Sequence, residues 1–399
     1  MDTRTLGRPQ ALERSDRTMR SGELVIANAR IVLADDVVRG SLRAIDGRIV
    51  DVCEGASVPA GALDLGGDHL VAGLIELHTD NLERHLVPRP RTRFPSAPAI
   101  LAHDAEIIGA GITTVYDALG VGDPYDDGFR AESQSRVLDD IDALAHAGLL
   151  RADHFLHVRC ELPAENAREL FEAFVGRPRL RLISLMDHTP GQRQWTDISH
   201  ARIYYTGKKG WSEARFEREV ELAPQRQAQY AVPNRRHFVD VAREWGIPLA
   251  THDDTTEAHV DEAFALGASI SEFPTSLVAA VRAKALGLAT IAGAPNVVRG
   301  GSHSGNVSAA ALAAAGLLDV LSSDYVPASL INAAWRLQEA AGFDLPRAMA
   351  TVTVDAAAAA KLTDRGRIAP GLRADLARVR IHDGQPAIGE VWREGRRVH

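Results

Sequence analysis

Cysteine is nearly missing: the 399 residues hold two, Cys53 and Cys160, far apart and in no Cys-x-x-Cys pattern. That argues against a disulfide framework and a thiolate zinc site, and it suits the cytoplasm. Net positive charge is missing as well. Lys and Arg number 45 against 53 Asp and Glu, a formal −8. The chain as a whole attracts neither nucleic acid nor a membrane surface, so an anionic ligand must be met by local cations. No uninterrupted apolar run approaches ~18 residues, so no membrane span is expected. The N-terminal Arg residues precede no hydrophobic segment, so no secretory signal is expected; Met1 to about Arg20 is polar, aperiodic and expected to be loose. No Gly-x-Gly-x-x-Gly turn follows an early strand, which weakens a nucleotide-binding Rossmann reading.

What is present is ordinary in bulk and unusual in pattern. Apolar content of 45% and charged content of 25% fit a globular protein with a large core. The length suits two domains, or one α/β barrel of ~250 residues with an appendage. Both ends read as short strands. Leu24–Leu33 and Gly40–Val50 come first, with Asp46-Gly47 as a hairpin signal; Ala374–Val379 and Glu390–Val398 come last. Isolated hairpins are marginal in water, so the two ends are expected to build one sheet domain. Between them strand-like runs alternate with helical ones, at about 70–77, 112–117, 154–160, 181–187, 247–251, 268–273, 288–292 and 318–323. Helices are expected at Ala99–Gly109, Gln134–Ala147, Ala164–Phe174, Arg235–Trp245, Thr256–Phe264, Leu277–Leu286 and Ser308–Ala315. Eight such units predict an α/β fold, a (β/α)₈ barrel, with an open doubly wound sheet as the alternative. The division is a tail at 1–20, a composite β-sandwich from 21–69 plus 366–399, and a barrel over 70–365.

The strand ends carry the chemistry. Leu70–Leu77 runs apolar into His78-Thr79-Asp80; later runs stop at Glu161, at Asp187-His188, at His252-Asp253-Asp254 and at Asp324. Such residues project at the C-terminal rim, where α/β folds keep their sites. Imidazole and carboxylate are the ligands of Zn²⁺ and similar divalent ions. One strand-end histidine is more often structural than a ligand, but five such termini are poorly explained by structure alone.

These segments resemble the amidohydrolase superfamily of metal-dependent hydrolases. More narrowly, three strings are similar to the phosphonate-metabolism branch of the carbon–phosphorus lyase pathway. They are Gly73-Leu74-Ile75-Glu76-Leu77-His78-Thr79-Asp80-Asn81-Leu82-Glu83, Ser184-Leu185-Met186-Asp187-His188-Thr189-Pro190-Gly191-Gln192-Arg193-Gln194, and Gly293-Ala294-Pro295-Asn296-Val297-Val298-Arg299-Gly300-Gly301-Ser302-His303-Ser304-Gly305-Asn306. Ser322 to Leu330 belongs with them, and the likeness spans about Leu24 to Val398. The resemblance implies a barrel with a composite β-sandwich and a divalent metal site. It also implies release of pyrophosphate from a ribose methylphosphonate 5-triphosphate to leave the 5-phosphate. Two departures stand out: the superfamily's usual second first-strand histidine is Asp80, and no strand-end lysine is evident, so Glu161 is taken as the bridging substitute.

Cleaving a phosphoanhydride needs water activated near neutral pH and cations that offset phosphoryl charge. His78, Asp80, Glu161, His188, His252 and Asp324 are assigned to the metals, with Asp324 also the proton acceptor. The expected cofactor is a zinc pair, with manganese or iron as alternatives. Asp253 and Asp254 are read either as acceptors that orient a ligand imidazole or as a helix cap. For the triphosphate, Arg299 and His303 stand in a glycine-rich stretch read as preceding a helix. Arg89 and Arg91 lie in an Arg-dense loop after the first strand, and Lys208 and Lys209 form a further cluster. Arg235-Arg236 reads as solvated surface, and His103-Asp104, in an expected helix, as structural or as partners behind the ligands. The expected partner is a small phosphorylated ribose phosphonate, with no nucleic acid or membrane, and self-association is left open. The rivals are a hydrolase of C–N bonds on the same fold, and an inactive assembly subunit.

Overall fold

The computed structural model describes residues 22–89, 92–122, 129–301 and 306–399. The tail expected to be loose lies outside them. Two eight-stranded sheets dominate. The first runs β16-β15-β14-β5-β1-β2-β3 with β4 on β1, where β1 is Glu23–Val32, β2 Val37–Ile45, β3 Arg48–Glu54, β4 Leu63–Asp64 and β5 His69–Ala72. The C-terminal strands β14 (Leu376–His382), β15 (Gln385–Arg393) and β16 (Arg396–Arg397) complete it. Both chain ends thus share one sheet. At Asp46-Gly47 the φ values are +49° and +82°, the paired left-handed geometry of a two-residue hairpin; Asp383-Gly384 and Glu394-Gly395 repeat it. Around the buried Trp392 pack Ile26, Ile31, Leu42, Ile49, Leu70 and Leu376.

The second sheet is the barrel, parallel throughout: β6 Leu74–Thr79, β7 Ile112–Val121, β8 Asp153–Glu161, β9 Leu180–Met186, β10 Leu249–His252, β11 Ile270–Glu272, β12 Ala289–Gly293 and β13 Val320–Ser322. A Thr79–Asp324 bridge closes the last strand onto the first. The apolar run read as one strand over 70–77 is in fact two strands in different sheets. The break is Gly73, where a Cβ would meet Thr113 Oγ1 at 2.2 Å; only a residue without a side chain passes there.

Alternation along the strands explains how the barrel is filled. Ile75, Leu77, Tyr116, Leu182, Ala250, Ile270, Ile291 and Val320 form an inner apolar layer, plugged from below by Ala356 and Ala357 of the helix Val354–Ala359. Two residues further along a strand, the same face carries Ser184, His252, Glu272 and Ser322. The polar layer toward the rim is therefore a continuation of the core pattern. Below, Arg365, Arg373 and Arg393 converge on Asp153 at 2.6, 2.8 and 3.4 Å, tying the terminal sheet to the start of β8.

One helix exceeds expectation. Glu213–Trp245 is 33 residues long with Pro224 and Pro233 inside it, where only Arg235–Trp245 is legible. Its N-terminal half leaves the barrel wall and joins Trp195, Tyr205, Trp211 and Phe216 in a small aromatic core above the rim. Ser212 caps it, accepting from Arg215 N–H, so the helix begins well beyond the barrel.

Candidate active site

A cavity of about 390 Å³ opens at the C-terminal rim, and all six expected ligands, His78, Asp80, Glu161, His188, His252 and Asp324, line it. The strand ends set their directions. β6 loses register between Glu76 and Thr79, which turns His78 inward beside the polar layer. Asp253, Phe273 and Asp324 follow β10, β11 and β13 with φ of +56°, +52° and +54°. Left-handed backbone is uncommon outside glycine, and here it turns the chain at the rim of three strands.

His78 donates from Nδ1 to Glu272 Oε1 at 3.1 Å, and Glu272 Oε2 accepts from Ser184 Oγ at 2.6 Å. The Nε2 of His78 is left as its remaining ligand atom. Burial, with the Arg159 and His252 charges, holds this imidazole well below its usual pKa, so it is neutral. His157 donates from Nδ1 to Leu77 O at 2.9 Å, and its buried Nε2 has no hydrogen-bond partner among the described residues. On the opposite side His252 donates from Nδ1 to Asp253 Oδ2 at 2.8 Å. His188 donates to Glu161 twice, from its backbone N–H at 2.9 Å and from Nδ1 at 2.5 Å. Burial pushes the His188 imidazole down, but the Glu161 carboxylate outweighs it and raises the pKa to about 9. Burial and then the neighbouring Asp80 push the Asp324 carboxyl up to about 7.

Among the described residues, three sets of ligand atoms lie within 4.8 Å of one another: His78, His157 and Glu272; His188, His252 and Asp253; and His103, Asp117 and His154. The donor chemistry of the first two fits a divalent ion. His78, His188 and His252 each stand with one ring nitrogen held by a carboxylate, the buried His157 Nε2 lacks a hydrogen-bond partner among the described residues, and Asp80 and Asp324 repel each other in a way a cation would relieve. Asp80, Glu161 and Asp324 line the cavity without joining a set, and Glu161 sits on His188 as its hydrogen-bond acceptor. Asp253 accepts from His252, the first of its two readings. Asp254 instead takes Arg193 at 2.7 Å, and the cap of the following helix is Thr256.

The expected phosphate-binding residues divide. Arg299 and Lys209 line the cavity, whereas Arg89 is exposed and does not. Arg91, His303 and the Lys208 side chain lie outside the described residues. Arg299 ends the six-residue helix Ala294–Arg299, capped by left-handed Gly300; the stretch thus leaves one helix before the next, Ala309–Ala314, begins. Arg235 and Arg236 pair with Glu262 and Asp240. His103 is internal: Asn81 Nδ2 donates to its Nδ1 at 3.0 Å, and its Nε2 donates to Asp117 Oδ1 at 2.7 Å.

Several residues of the site, Glu272 behind His78 and others on the cavity wall, carry no role in the sequence analysis. Glu272 ends a short apolar strand, Ile270-Ser271-Glu272, and the strand-end rule applied to the other termini would have found it. Arg159 precedes Glu161 by two residues on one face of β8. Arg226, Trp195, Tyr204, Tyr205 and Trp211 come from the segment between β9 and β10, which no barrel pattern predicts to fold over the rim.

No protein-family model matches the chain. The α-D-ribose 1-methylphosphonate 5-triphosphate diphosphatase of Escherichia coli is 45% identical over 377 residues, covering 94% of this chain and 100% of that one. Among solved structures, the 5-methylcytosine deaminase of Klebsiella pneumoniae superposes with a TM-score of 0.63 at 17% identity, over 94% of this chain and 98% of that one. The N-acetyl-D-glucosamine-6-phosphate deacetylase of Mycobacterium smegmatis gives 0.62 at 16%, over 94% and 100%. Those two share the fold, while the sequence identity runs the whole length of the Escherichia coli enzyme: the chain belongs to the family of that diphosphatase.

Proposed function

We propose that the protein is a divalent-metal-dependent hydrolase acting on α-D-ribose 1-methylphosphonate 5-triphosphate, releasing pyrophosphate and leaving the 5-phosphate. The observation that carries this reading is the 45% identity across the full length of a relative named for that substrate. The site supports it. Imidazoles and carboxylates share one cavity with Arg159, Lys209, Arg226 and Arg299, cations that a polyphosphate needs and a neutral amide does not. A C–N hydrolase is therefore not favoured, and an inactive subunit would lack ligands that are present.

His78, Asp80, Glu161, His188, His252 and Asp324 are the residues that would hold the metals, with Asp253 beside them; a zinc pair is proposed, manganese or iron being alternatives. Bound divalent ions supply activation of water at neutral pH and charge compensation at the phosphoryl oxygens. The chain does the rest. Glu272 and Asp253 fix the ring orientation of His78 and His252. Asp324 Oδ accepts the proton of the attacking water, and its environment already favours holding one near neutral pH. Lys209, Arg226 and Arg299 hold the outer phosphates. The aromatic wall narrows the mouth and excludes bulk water. Two cysteines in 399 residues suit a cytoplasmic location, and no helix among the described residues is long and apolar enough to cross a membrane.

The test is pyrophosphate release by the metal-replete protein, alongside a chelated sample and a panel of N-acyl and cyclic-amide compounds. Metal-dependent release from the triphosphate with no amide turnover is expected. Amide turnover with none from the triphosphate would keep the metal site and replace the substrate.

A further inference from the structure

Val158 and Cys160 of β8 face outward into the packing between barrel and helices, so alternation sends His157, Arg159 and Glu161 to the inner face. Arg159 is the charged residue among the three that no expected ligand role covers. Its side chain is 15% exposed and lines the cavity that holds Asp80, His188, His252 and Asp324. Across the sheet it pairs with Gly120, which also lines the cavity, so no side chain from β7 covers the guanidinium at that position.

Its hydrogen bonding is unfinished. Among the described residues, the one carboxylate within 4 Å is Glu83, whose Oε1 stands 3.6 Å from Nη2, beyond hydrogen-bond length. The buried Nε has no hydrogen-bond partner among the described residues. A guanidinium carries five donors in a rigid fork, and leaving them unmet in a half-closed site is costly unless a ligand meets them. Lys209 and Arg299 are exposed, whereas Arg159 comes from a barrel strand, the more rigid support.

We infer that Arg159 is the catalytic cation of the reaction proposed above, its fork donating to the phosphoryl oxygens as the anhydride bond breaks. The inference rests on the phosphoanhydride reading. In the step, water oxygen bonds to phosphorus and gives its proton to Asp324. The bond from phosphorus to the bridging oxygen breaks, and pyrophosphate leaves with the electron pair. Negative charge grows on the phosphoryl and bridging oxygens, and a donor fork aimed there is stronger in the transition state than in the ground state. Such cations are worth about 10³–10⁵ in kcat in other phosphoryl transfers.

The experiment compares Arg159→Ala, Arg159→Lys and Glu83→Gln with wild type in the metal-loaded enzyme, reading kcat, KM, metal content and rescue by added ethylguanidinium. Arg159→Ala is expected to lose about 10³-fold in kcat with KM within about threefold, metal content unchanged and activity partly restored by the guanidinium. Arg159→Lys keeps the charge without the fork and is expected to lose about tenfold, which carries the test if the alanine variant does not fold. Glu83→Gln is expected to stay within about threefold of wild type. A kcat near wild type in Arg159→Ala, an equal loss in Glu83→Gln, or a loss explained by missing metal would overturn the inference and make Arg159 a structural ion-pair partner. Failure of wild type to release pyrophosphate, with turnover of an amide instead, would overturn the underlying reading and this inference with it. Normal wild-type release with an indifferent Arg159 would overturn the inference alone.

Discussion

The backbone N–H of Asp80 donates to the carbonyl of Asp324 at 3.2 Å, and Thr79 Oγ1 donates to the same carbonyl at 2.7 Å. Residues 244 positions apart in the chain are thereby fastened at the seam where the barrel closes. Their carboxylates share one cavity, and the like charge of Asp80, after burial, raises the Asp324 carboxyl to about 7.

That pairing predicts an uncoupling of activity from stability. Asp324→Asn keeps a residue tolerant of the left-handed backbone at φ +54° and removes the proton acceptor. Activity should fall by about 10²–10⁴-fold. The melting temperature of the metal-free protein should stay level or rise, because a buried like-charge contact is gone. Assay and thermal melt of the same preparation check both halves.

Glu272→Gln should act through the metal. Glu272 takes His78 Nδ1 on one oxygen and the Ser184 hydroxyl on the other, so an amide in its place mismatches one of the two. Metal affinity should weaken about 10–100-fold while the fold persists. Titration of the apoprotein with zinc, read by competition with a chelating dye, gives the number.

Asp153→Asn should do the reverse. Three guanidiniums meet this carboxylate at the lower end of the barrel, and burial of Arg365 and Arg373 leaves them poorly solvated without it. A loss of about 3 kcal/mol is expected, with kcat unchanged, since the position is remote from the rim. Denaturant unfolding and steady-state kinetics separate the two effects.

The buried His103–Asp117–His154 network predicts a pH limit on stability. Burial pushes His154 down, but Asp117 and Asp104 outweigh it and hold the imidazole at about 9. The Asp117 carboxyl is lowered: burial opposes, and the two histidines prevail. A histidine whose folded pKa exceeds its unfolded value of about 6.5 contributes fully below that pH and loses its contribution as pH climbs through about 9. Asp117 contributes above about 3.9 and is lost on further acidification. Melting temperatures of metal-free protein should fall between about pH 7 and 9.5, and His154→Gln should lower the neutral value and flatten that limb.

Much of this was legible in the sequence because barrel strands are buried on both faces and end abruptly in polar residues. All eight strands and the ligand-type side chains at five of their ends follow from that contrast. Gly73 hid a sheet boundary because the apolar run continues through it, and burial in either sheet selects the same residues. Glu272 was passed over although its strand was read, because the run over 268–273 continues through Phe273 and so does not stop visibly at a polar residue. The segment carrying Trp195, Trp211 and Arg226 was hidden because its aromatic core packs against itself, and no period of the barrel reaches it. Arg159 received no role from the sequence because nothing there shows that it faces the cavity across from Gly120.

The most direct test of the central claim is ³¹P NMR of the metal-replete protein with α-D-ribose 1-methylphosphonate 5-triphosphate, followed to completion. One pyrophosphate and one 5-phosphate per substrate, with no orthophosphate and no signal change after chelation, is the predicted result. Orthophosphate as the first product, or equal turnover with the metal removed, would contradict it.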